Sequence, residues 1–352
     1  MVTLNEILRD LFRVFTTVSS WVYALGLLLF VLLWQVVGER FWLAAAAGNF
    51  APYCFMPIIP LVVLGILARA RFALLSTIPL FALGAIWFAG YYTPKNPPTP
   101  QGSQVSVVTF NAYRNNESLE ATINWLQTLK SDFLMMQEVP EWQYLDLRNN
   151  LSTVYPYVTI NSTVDESWSN ILFSRYPIAE SSNLQSADNQ HMQQRYLIMH
   201  DEIGEIALYN VDLALPVGRP RLSLFAGIVG DFLFGYDDRE RDAEIRSLLD
   251  RWRNEELPYV IAGDFGMTEY TAIYREVAAT ASDAFRTVGR GLGGTWPVGE
   301  VEGVLPRFVP PLFRIDYIWY SSHFRATGAW LGPKLGSDHL AVLATFDYVR
   351  GA

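Results

Sequence analysis

Polar side chains recur at the ends of apolar, strand-like runs in the second part of this 352-residue chain. They comprise one amide, four carboxylates and one imidazole: Asn111, Glu138, Asp264, Asp316, Asp338 and His339. One carboxylate at a strand end is usually a cap or a turn residue. Several that converge on one sheet edge are costly to desolvate unless a cation or a substrate lies among them. Because carboxylate and amide oxygens are hard ligands, the set predicts a site for Mg²⁺, Mn²⁺ or Ca²⁺ rather than Zn²⁺.

The apolar runs that carry these residues alternate with helical patterns. Eight segments read as strands: VSVVTF, FLMMQEV, NILFS, residues 196–200, EIALYNVDL, YVIAGDF, RIDYIWY and LAVLATF. The segments ESLEATINWLQTLK and DDRERDAEIRSLLDRWRNE are amphipathic at helical spacing. Alternating helices and strands, with hairpin-like strands between them, predict an α/β (α+β) domain in which helices cover a mixed sheet. We expect this domain to occupy residues 104–352.

Residues 1–92 are predicted to form an all-α membrane region. Three runs, 14–38, 41–68 and 72–92, contain no charged residue, and Arg69 and Arg71 separate the last two. At about 1.5 Å per helical residue, each can cross roughly 30 Å of hydrocarbon. The middle run contains Asn49 and three prolines, so we expect its first third to be re-entrant or interfacial and the span to be 51–68. The prediction is three spans, and two spans is the alternative.

Basic residues predict the orientation of these spans. Arg9 and Arg13 precede the first span and Arg69 and Arg71 separate the second from the third, whereas the first connection holds only Glu39 and Arg40. Positive charge favours the cytoplasmic side. The N-terminus is therefore expected in the cytoplasm, and three crossings leave everything after about residue 93 on the extracytoplasmic side.

Charge divides the chain in the same way. Of its 26 basic and 35 acidic residues, six and three lie in residues 1–97, which leaves 20 and 32 in the remainder, a net charge of −12 there. An acidic domain is not expected to bind duplex DNA, since such binding depends on clustered Lys and Arg. A Pro-rich tether, residues 93–103, precedes the domain. The single cysteine, Cys54, lies in a membrane run, so no intrachain disulfide can form.

Six motifs resemble, in order and spacing, those of the endonuclease/exonuclease/phosphatase family: TFN, MMQE, NILFSRYPI, AGDF, RIDYIW and SDH. The resemblance covers about residues 104–348, and GSDHLAVLA is its most specific element. GRGLGGTWP, residues 289–297, is similar to a segment of bacterial members with three N-terminal spans. The resemblance implies a DNase I-like fold, in which two mixed sheets pack face to face with helices outside as a four-layer sandwich. It also implies a bacterial inner or plasma membrane.

The resemblance further implies metal-dependent hydrolysis of a phosphoester. By this reading, Glu138 is the principal metal ligand and is assisted by Asn111. Asp264 orients or deprotonates the attacking water, and Asp316 supports it or the metal. His339, paired with Asp338, contacts the phosphate as charge develops. The expected cofactor is Mg²⁺, with Mn²⁺ or Ca²⁺ as alternatives.

Two positions depart from the family pattern. Gly266 stands where members usually have Asn two residues after the GDF aspartate, and Asp212 stands where they usually have His. The first change removes a donor, and the second puts an anion where a potential cation stood, which repels phosphate unless a metal intervenes. The enzyme could be slow, could use Asp212 as an extra metal ligand, or could be inactive. Asp212, Asn210 and Arg195 are the candidate substrate-binding residues, and Arg195 could instead form a surface ion pair.

Two apolar segments suggest contacts outside the chemistry. Residues 220–236 could form a short core helix or a flap against the bilayer or a partner, and residues 304–313 could extend that surface. Two functions therefore remain open. One is a membrane-anchored, extracytoplasmic phosphodiesterase or phosphatase that acts on a small or lipid-linked substrate. The other is a catalytically degenerate subunit that docks through residues 220–236 and its spans onto a larger membrane assembly.

Overall fold

The computed structural model describes residues 3–114, 116, 119–162, 168–185, 192–218, 235–299 and 308–349. They form two compact units, Met1–Thr93 and Pro94–Ala352. Residues 219–234, which hold most of the predicted flap, and residues 300–307 lie outside the described part of the chain. Of the second apolar segment, 308–313 is described, and Phe308 there is 86% exposed.

The first unit is helical. Its helices are α1 (Leu4–Val37), α2 (Trp42–Asn49), α3 (Ala51–Cys54), α4 (Ile58–Leu67) and α5 (Arg71–Tyr92). The first begins at a capping box, in which the Thr3 hydroxyl accepts from the Glu6 amide and the Glu6 carboxylate accepts from the Thr3 amide. A 3-10 turn, Gly38–Arg40, continues it.

Two helical stretches of the described chain, Leu4–Arg40 and Arg71–Tyr92, are long and apolar enough to cross a membrane. Between them, Trp42–Asn49 and Ala51–Leu67 meet at a bend of 82°. This pair makes a third span if it is one broken span, and otherwise it is a re-entrant segment. The structure therefore supports two or three spans, and both predicted counts fall within that range.

The second unit contains twelve described strands in two sheets. The first sheet has the order β11–β12–β1–β2–β4–β3. Its strands are β1 (Gln104–Asn111), β2 (Phe133–Pro140), β3 (Tyr157–Ser162), β4 (Trp168–Ser174), β11 (Phe324–Leu331) and β12 (Val342–Tyr348). The second sheet has the order β5–β6–β7–β8–β10–β9. Its strands are β5 (Ile178–Gln185), β6 (Met192–His200), β7 (Gly204–Asp212), β8 (Tyr259–Asp264), β9 (Ser282–Asp283) and β10 (Asp316–Tyr320).

Both sheets are mixed and share one plan. Each has a single parallel pair near its centre, β1 with β2 and β7 with β8, and all other described pairs are antiparallel. The parallel strands are buried on both faces, which explains why their sequences are almost continuously apolar. In each parallel pair, the carboxyl ends of both strands lie at the same end of the sheet. These ends carry Asn111, Glu138, Asp212 and Asp264.

Helices cover the outer faces of the sheets. They are α6 (Leu119–Leu129) and α7 (Glu141–Leu151) on the first sheet, and α8 (Arg239–Arg253) and α9 (Ala272–Ala278) on the second. The short helix α10 (Ala284–Val288) follows β9. Helix α8 buries Ile245, Leu248, Leu249 and Trp252, the spacing of one helix face. A third apolar core, with Val107, Met135, Leu208 and Ile318, fills the space between the sheets. The predicted four-layer sandwich of two mixed sheets flanked by helices is confirmed.

Candidate active site

Three aspartates line one end of the second sheet. Asp212 pairs in register with Asp264 across β7 and β8, and Asp264 pairs with Asp316 across β8 and β10. Side chains of paired residues point to the same face of a sheet. That face is the inner one, because Asn210, two residues before Asp212, bonds to the first sheet. Adjacent strands thus place three carboxylates side by side between the sheets.

Gly263 allows this edge to form. Its φ is +151°, and a Cβ at this position would lie 1.8 Å from the carbonyl oxygen of Val211. No residue with a side chain fits so close to the neighbouring backbone. The glycine before Asp264 is therefore required for β8 to approach β7 at the site.

The first sheet contributes Asn111 and Glu138. Glu138 has a φ of +51° and lies in a bulge between Met136 and Val139 where the register with β4 shifts. A positive φ at a residue with a side chain stores about 1–3 kcal/mol of strain and re-aims the side chain. The bulge therefore directs a half-buried Glu138 toward the site rather than along the regular pleat.

Asn111 connects the two sheets. Its Nδ2 donates to Glu138 Oε1 at 3.1 Å and to Asp264 Oδ2 at 3.2 Å. Its Oδ1 accepts from the Tyr113 amide at 3.0 Å, and its carbonyl accepts from Ser337 Oγ at 2.7 Å. The amide hydrogens face two carboxylates, which fixes the orientation of this side chain. We therefore assign Asn111 to holding the two acids together, whereas the sequence suggested that it assists as a metal ligand.

His339 pairs with Asp316 and not with Asp338 as expected. Its Nδ1 donates to Asp316 Oδ2 at 2.9 Å, whereas its Nε2 lies 3.9 Å from Asp338 Oδ1 and 3.7 Å from Asp264 Oδ2. Asp338 Oδ2 instead accepts from the indole of Trp296 at 3.1 Å. The buried start of β10 brings Asp316 directly under the ring, so Asp316 orients the imidazole and leaves Nε2 toward Asp264.

The shared burial of these groups shifts their pKa values. Burial, reinforced by Asp316, raises the pKa of Asp264 to about 7. Burial and the Glu138 and Asp264 carboxylates raise the pKa of Asp212 well above its usual range. Burial disfavours a charged imidazole, but Asp316 and Asp264 outweigh it and hold the pKa of His339 well above its ordinary value. The neighbouring carboxylates therefore favour the protonated imidazole, and Asp264 titrates near neutral pH in the metal-free site.

The donor set fits a hard divalent cation. Ligand atoms of Asp264, Asp316 and His339 lie within 4.8 Å of one another, and Asp316 Oδ1 is buried without a hydrogen bond. In the described part of the chain, no lysine or arginine forms an ion pair with the carboxylates of this group. Because His339 and Asp316 already bond to each other, the oxygens of Glu138 and Asp264, which both accept from the Asn111 amide, are the better ligands.

The other two predicted substrate-binding residues lie elsewhere or are already engaged. Arg195 follows Gln194, which pairs with Asn210 on the inner face, so Arg195 points to the outer face, where its Nε donates to Glu255 Oε2 at 2.8 Å. The structure thus gives Arg195 the ion-pair role. Asn210 Oδ1 accepts from Gln137, and its Nδ2 donates to the carbonyls of Met136 and Ile171. Asn210 ties the two sheets together, and both of its amide hydrogens are occupied.

Gly266 lies beside Asp264 and has a left-handed backbone conformation. Its φ is +54°, and its amide donates to Asp264 Oδ1 at 2.9 Å. A Cβ there would lie 3.2 Å from the Ala214 carbonyl and 3.6 Å from Arg241 Cδ. Arg241 cannot replace the missing donor, because this buried side chain donates to the Gly266 carbonyl and to Asp242.

Two supporting residues escaped the sequence reasoning. Thr295 Oγ1 accepts from the amides of Ile315 and Asp316, and Trp296 holds Asp338. Both lie in GGTWP, a segment noted only for its resemblance to bacterial relatives. A half-buried tryptophan needs a partner for its indole N–H, and that requirement was the available signal.

A family model described as the Endonuclease/Exonuclease/phosphatase family matches residues 108–339. No curated protein sequence matches the chain. Similar solved structures include an endonuclease/exonuclease/phosphatase from Bacteroides vulgatus, with 16% identity and a TM-score of 0.54 over 70% of this chain and all of that one. Truncated TDP2 of Caenorhabditis elegans has 16% identity and a TM-score of 0.54 over 71% of this chain and all of that one.

A mannosyl-6-phosphatase of Bacteroides thetaiotaomicron has 14% identity and a TM-score of 0.50 over 69% of this chain and all of that one. At such identities these three likenesses concern the fold alone. They agree with the two-sheet architecture of the second unit, and the family model spans every strand end that contributes to the site.

Proposed function

Because the chain belongs to the endonuclease/exonuclease/phosphatase family, we propose that it is a divalent-metal-dependent phosphoester hydrolase, either a phosphodiesterase or a phosphatase. One observation carries the proposal. Asn111 bonds at once to Glu138 of the first sheet and Asp264 of the second, and the His339–Asp316 pair lies against Asp264. Five residues remote in sequence thus supply a cation site, a base and a cationic donor in one place.

Asp264 and His339 have complementary roles in this proposal. With a pKa of about 7 in the metal-free site, Asp264 loses its proton readily when the cation binds, and its carboxylate can then orient the attacking water or accept its proton. His339, held by Asp316 through Nδ1, can donate from Nε2 to a phosphate oxygen as negative charge develops. Both groups are buried in the same pocket, where Asp264 can lose a proton while the surrounding carboxylates favour a protonated His339, as a base and a donor require.

Glu138 and Asp264 would hold the divalent cation, Mg²⁺, Mn²⁺ or Ca²⁺. Such an ion supplies Lewis-acid stabilisation of charge on the phosphoryl oxygens. Asn111 keeps the two acids close, and no lysine or arginine of the described chain pairs with either of them. The strained Glu138 bulge pre-forms this arrangement.

A small or lipid-linked phosphoester suits this protein better than nucleic acid. The sequence after residue 97 carries a net charge of −12, which opposes binding of a polyanion. The apolar helices Leu4–Arg40 and Arg71–Tyr92 support anchoring in the bilayer, so the chain binds lipid whatever its other partners are.

An extracytoplasmic domain follows from three crossings and a cytoplasmic N-terminus. Arg13 Nε donates to the Ala68 carbonyl at 3.2 Å, so the start of α1 meets the connection between α4 and α5. Arg9, Arg69 and Arg71 are close to this contact in sequence. Basic residues gathered at one end of the helical unit support placement of that end in the cytoplasm.

Hydrolysis of bis-p-nitrophenyl phosphate by the detergent-solubilised full-length protein tests the proposal. We expect turnover that requires Mg²⁺ or Mn²⁺, stops on chelation and is lost in Asp264→Asn. Absence of turnover in a folded protein that also fails to bind either cation would overturn the proposal.

A second function is favoured by Gly266 and Asp212, which replace a donor and a potential cation. In this alternative the domain is a degenerate binding subunit of a membrane assembly, docked through its spans and residues 220–236. Cation binding without turnover, even after Gly266→Asn and Asp212→His are combined, would favour it. A rise in turnover in the double variant would favour an impaired enzyme.

A further inference from the structure

Asp212 carries a buried carboxylate at the end of β7. It is 8% exposed, and among the described residues no side chain donates a hydrogen bond to its carboxylate and no lysine or arginine forms an ion pair with it. Only its backbone is held, since its amide donates to Gln193 Oε1 at 3.1 Å. A charge in this position is strongly disfavoured unless something compensates it.

The neighbours of Asp212 further disfavour its negative charge. Three carboxylates raise the pKa of Asp212, those of Glu138, Asp264 and Glu244, and the His339 ring opposes them. Glu244 is itself committed, because its Oε2 accepts from the Ala214 amide at 3.0 Å. The nearby Arg241 is engaged by Asp242 and the Gly266 carbonyl. No lysine or arginine of the described chain therefore pairs with Asp212, and the His339 ring is bonded to Asp316 instead.

A second carboxylate beside Asp264 also has an oxygen without a hydrogen bond in the described part of the chain. Asp316 is 1% exposed, and no described residue bonds to its Oδ1, although Oδ2 is bonded to His339. Asp316 and Asp212 flank Asp264 on adjacent strands. Carboxylate oxygens without hydrogen bonds from the described chain therefore lie on both sides of Asp264, which shares the Asn111 amide with Glu138. Oxygens of this kind suit a hard cation.

We infer that Asp212 is a ligand of the divalent cation and belongs to one carboxylate set with Glu138 and Asp264. The inference rests on the proposed function, which supplies the cation. It gives Asp212 a task that histidine at this position cannot perform. Histidine would offer a proton to phosphate, whereas Asp212 would help to hold a cation that supplies positive charge to phosphate. Phosphate binding should then depend on prior cation binding more strictly than with histidine.

Mn²⁺ titration calorimetry on the detergent-solubilised full-length protein tests this inference. Asp212→Asn keeps the shape of the side chain and removes only its charge, and Asp212→His restores the family residue. Asp132→Asn is the matched control, because Asp132 is also 8% exposed but lies at the opposite end of β2, bonded to Ser106. We expect both Asp212 variants to weaken Mn²⁺ binding by at least about tenfold and the control to leave it unchanged.

Inorganic phosphate provides a second readout. Wild-type protein should bind phosphate only when Mn²⁺ is present, whereas Asp212→His should bind it without Mn²⁺. If a folded Asp212→Asn variant binds Mn²⁺ as tightly as the wild-type protein, Asp212 is not a ligand, whereas the proposed function stands. A proton would then neutralise the Asp212 carboxylate. Failure of the wild-type protein to bind Mn²⁺ would overturn the proposed function as well.

Discussion

Asp264 stands among groups that oppose its ionisation, and this sets a pH dependence. In the metal-free site its pKa of about 7 means that it gains a proton as pH falls through neutrality. A cation that binds Asp264 must displace this proton. We therefore expect the Mn²⁺ association constant from titration calorimetry to rise about tenfold per pH unit below 7 and to level off above it. An Mn²⁺ affinity that stays constant from pH 5.5 to 8 would contradict the role of Asp264 as a ligand.

Gly266 offers a gain-of-function test at the residue scale. Its φ of +54° lies in the left-handed region, which asparagine tolerates better than most residues. Gly266→Asn should cost about 1 kcal/mol of stability and, by adding a donor beside Asp264, raise kcat at least about tenfold.

Gly266→Ala is the control for that change. It brings a backbone penalty at least as large and the same 3.2 Å contact with the Ala214 carbonyl without a donor. Equal kcat values in the two variants, with Mn²⁺ binding intact, would show that the missing amide does not limit the reaction.

The sequence indicated the residues of the site better than their contacts. Glu138, Asp264, Asp316 and His339 follow from acids and a histidine at strand ends. The pairing of His339 with Asp316 rather than Asp338 depends on strand register, which local patterns do not encode. The positive φ of Glu138 likewise comes from a bulge that only the paired strand β4 reveals.

At the scale of elements, a buried ion network holds the start of β10. Arg314, 4% exposed, donates to Asp283 Oδ2 at 2.7 Å and to Glu269 Oε2 at 2.6 Å. These acids come from β9 and from the segment after β8, so one side chain joins three segments around Asp316. Arg314→Met leaves both acids buried without this partner and should cost about 3–5 kcal/mol.

Arg246→Ala is the matched control for the network. Arg246 pairs with Glu276 at 3.2 Å on the surface, where its side chain is 53% exposed. Its loss should cost less than about 1 kcal/mol. Thermal unfolding of the solubilised protein, followed by tryptophan fluorescence, would compare the two. Similar losses for both arginines would contradict a structural role for the buried network.

Element prediction succeeded for the interior of the sheets and failed at their margins. The eight strands read from the sequence are the inner strands of the two sheets. The four missed, β3, β5, β9 and β11, are the edge strands. Edge strands face solvent and are short or polar, as in IAESSNLQ of β5, so they lack the apolar run that marks a buried strand. The existence of a second sheet likewise came from resemblance and not from periodicity.

At the scale of the whole molecule, the number of spans decides the compartment. The bent pair Trp42–Asn49 and Ala51–Leu67 counts as one span or as none, because apolar composition does not distinguish a broken span from a re-entrant segment. In bacterial cells, alkaline phosphatase fused after residue 352 should be active and fused before residue 1 inactive, since that enzyme needs an oxidising compartment. An inactive C-terminal fusion in an expressed protein would favour two spans and a cytoplasmic domain.

The central claim is that acids from two sheets meet around one divalent cation. An anomalous difference map from crystals of the full-length protein soaked in Mn²⁺ tests it most directly. The strongest peak should lie within about 2.5 Å of oxygens of both Glu138 and Asp264. A map with no peak between Glu138 and Asp264, from crystals in which the site is open to solvent, would contradict the claim that these acids bind a cation.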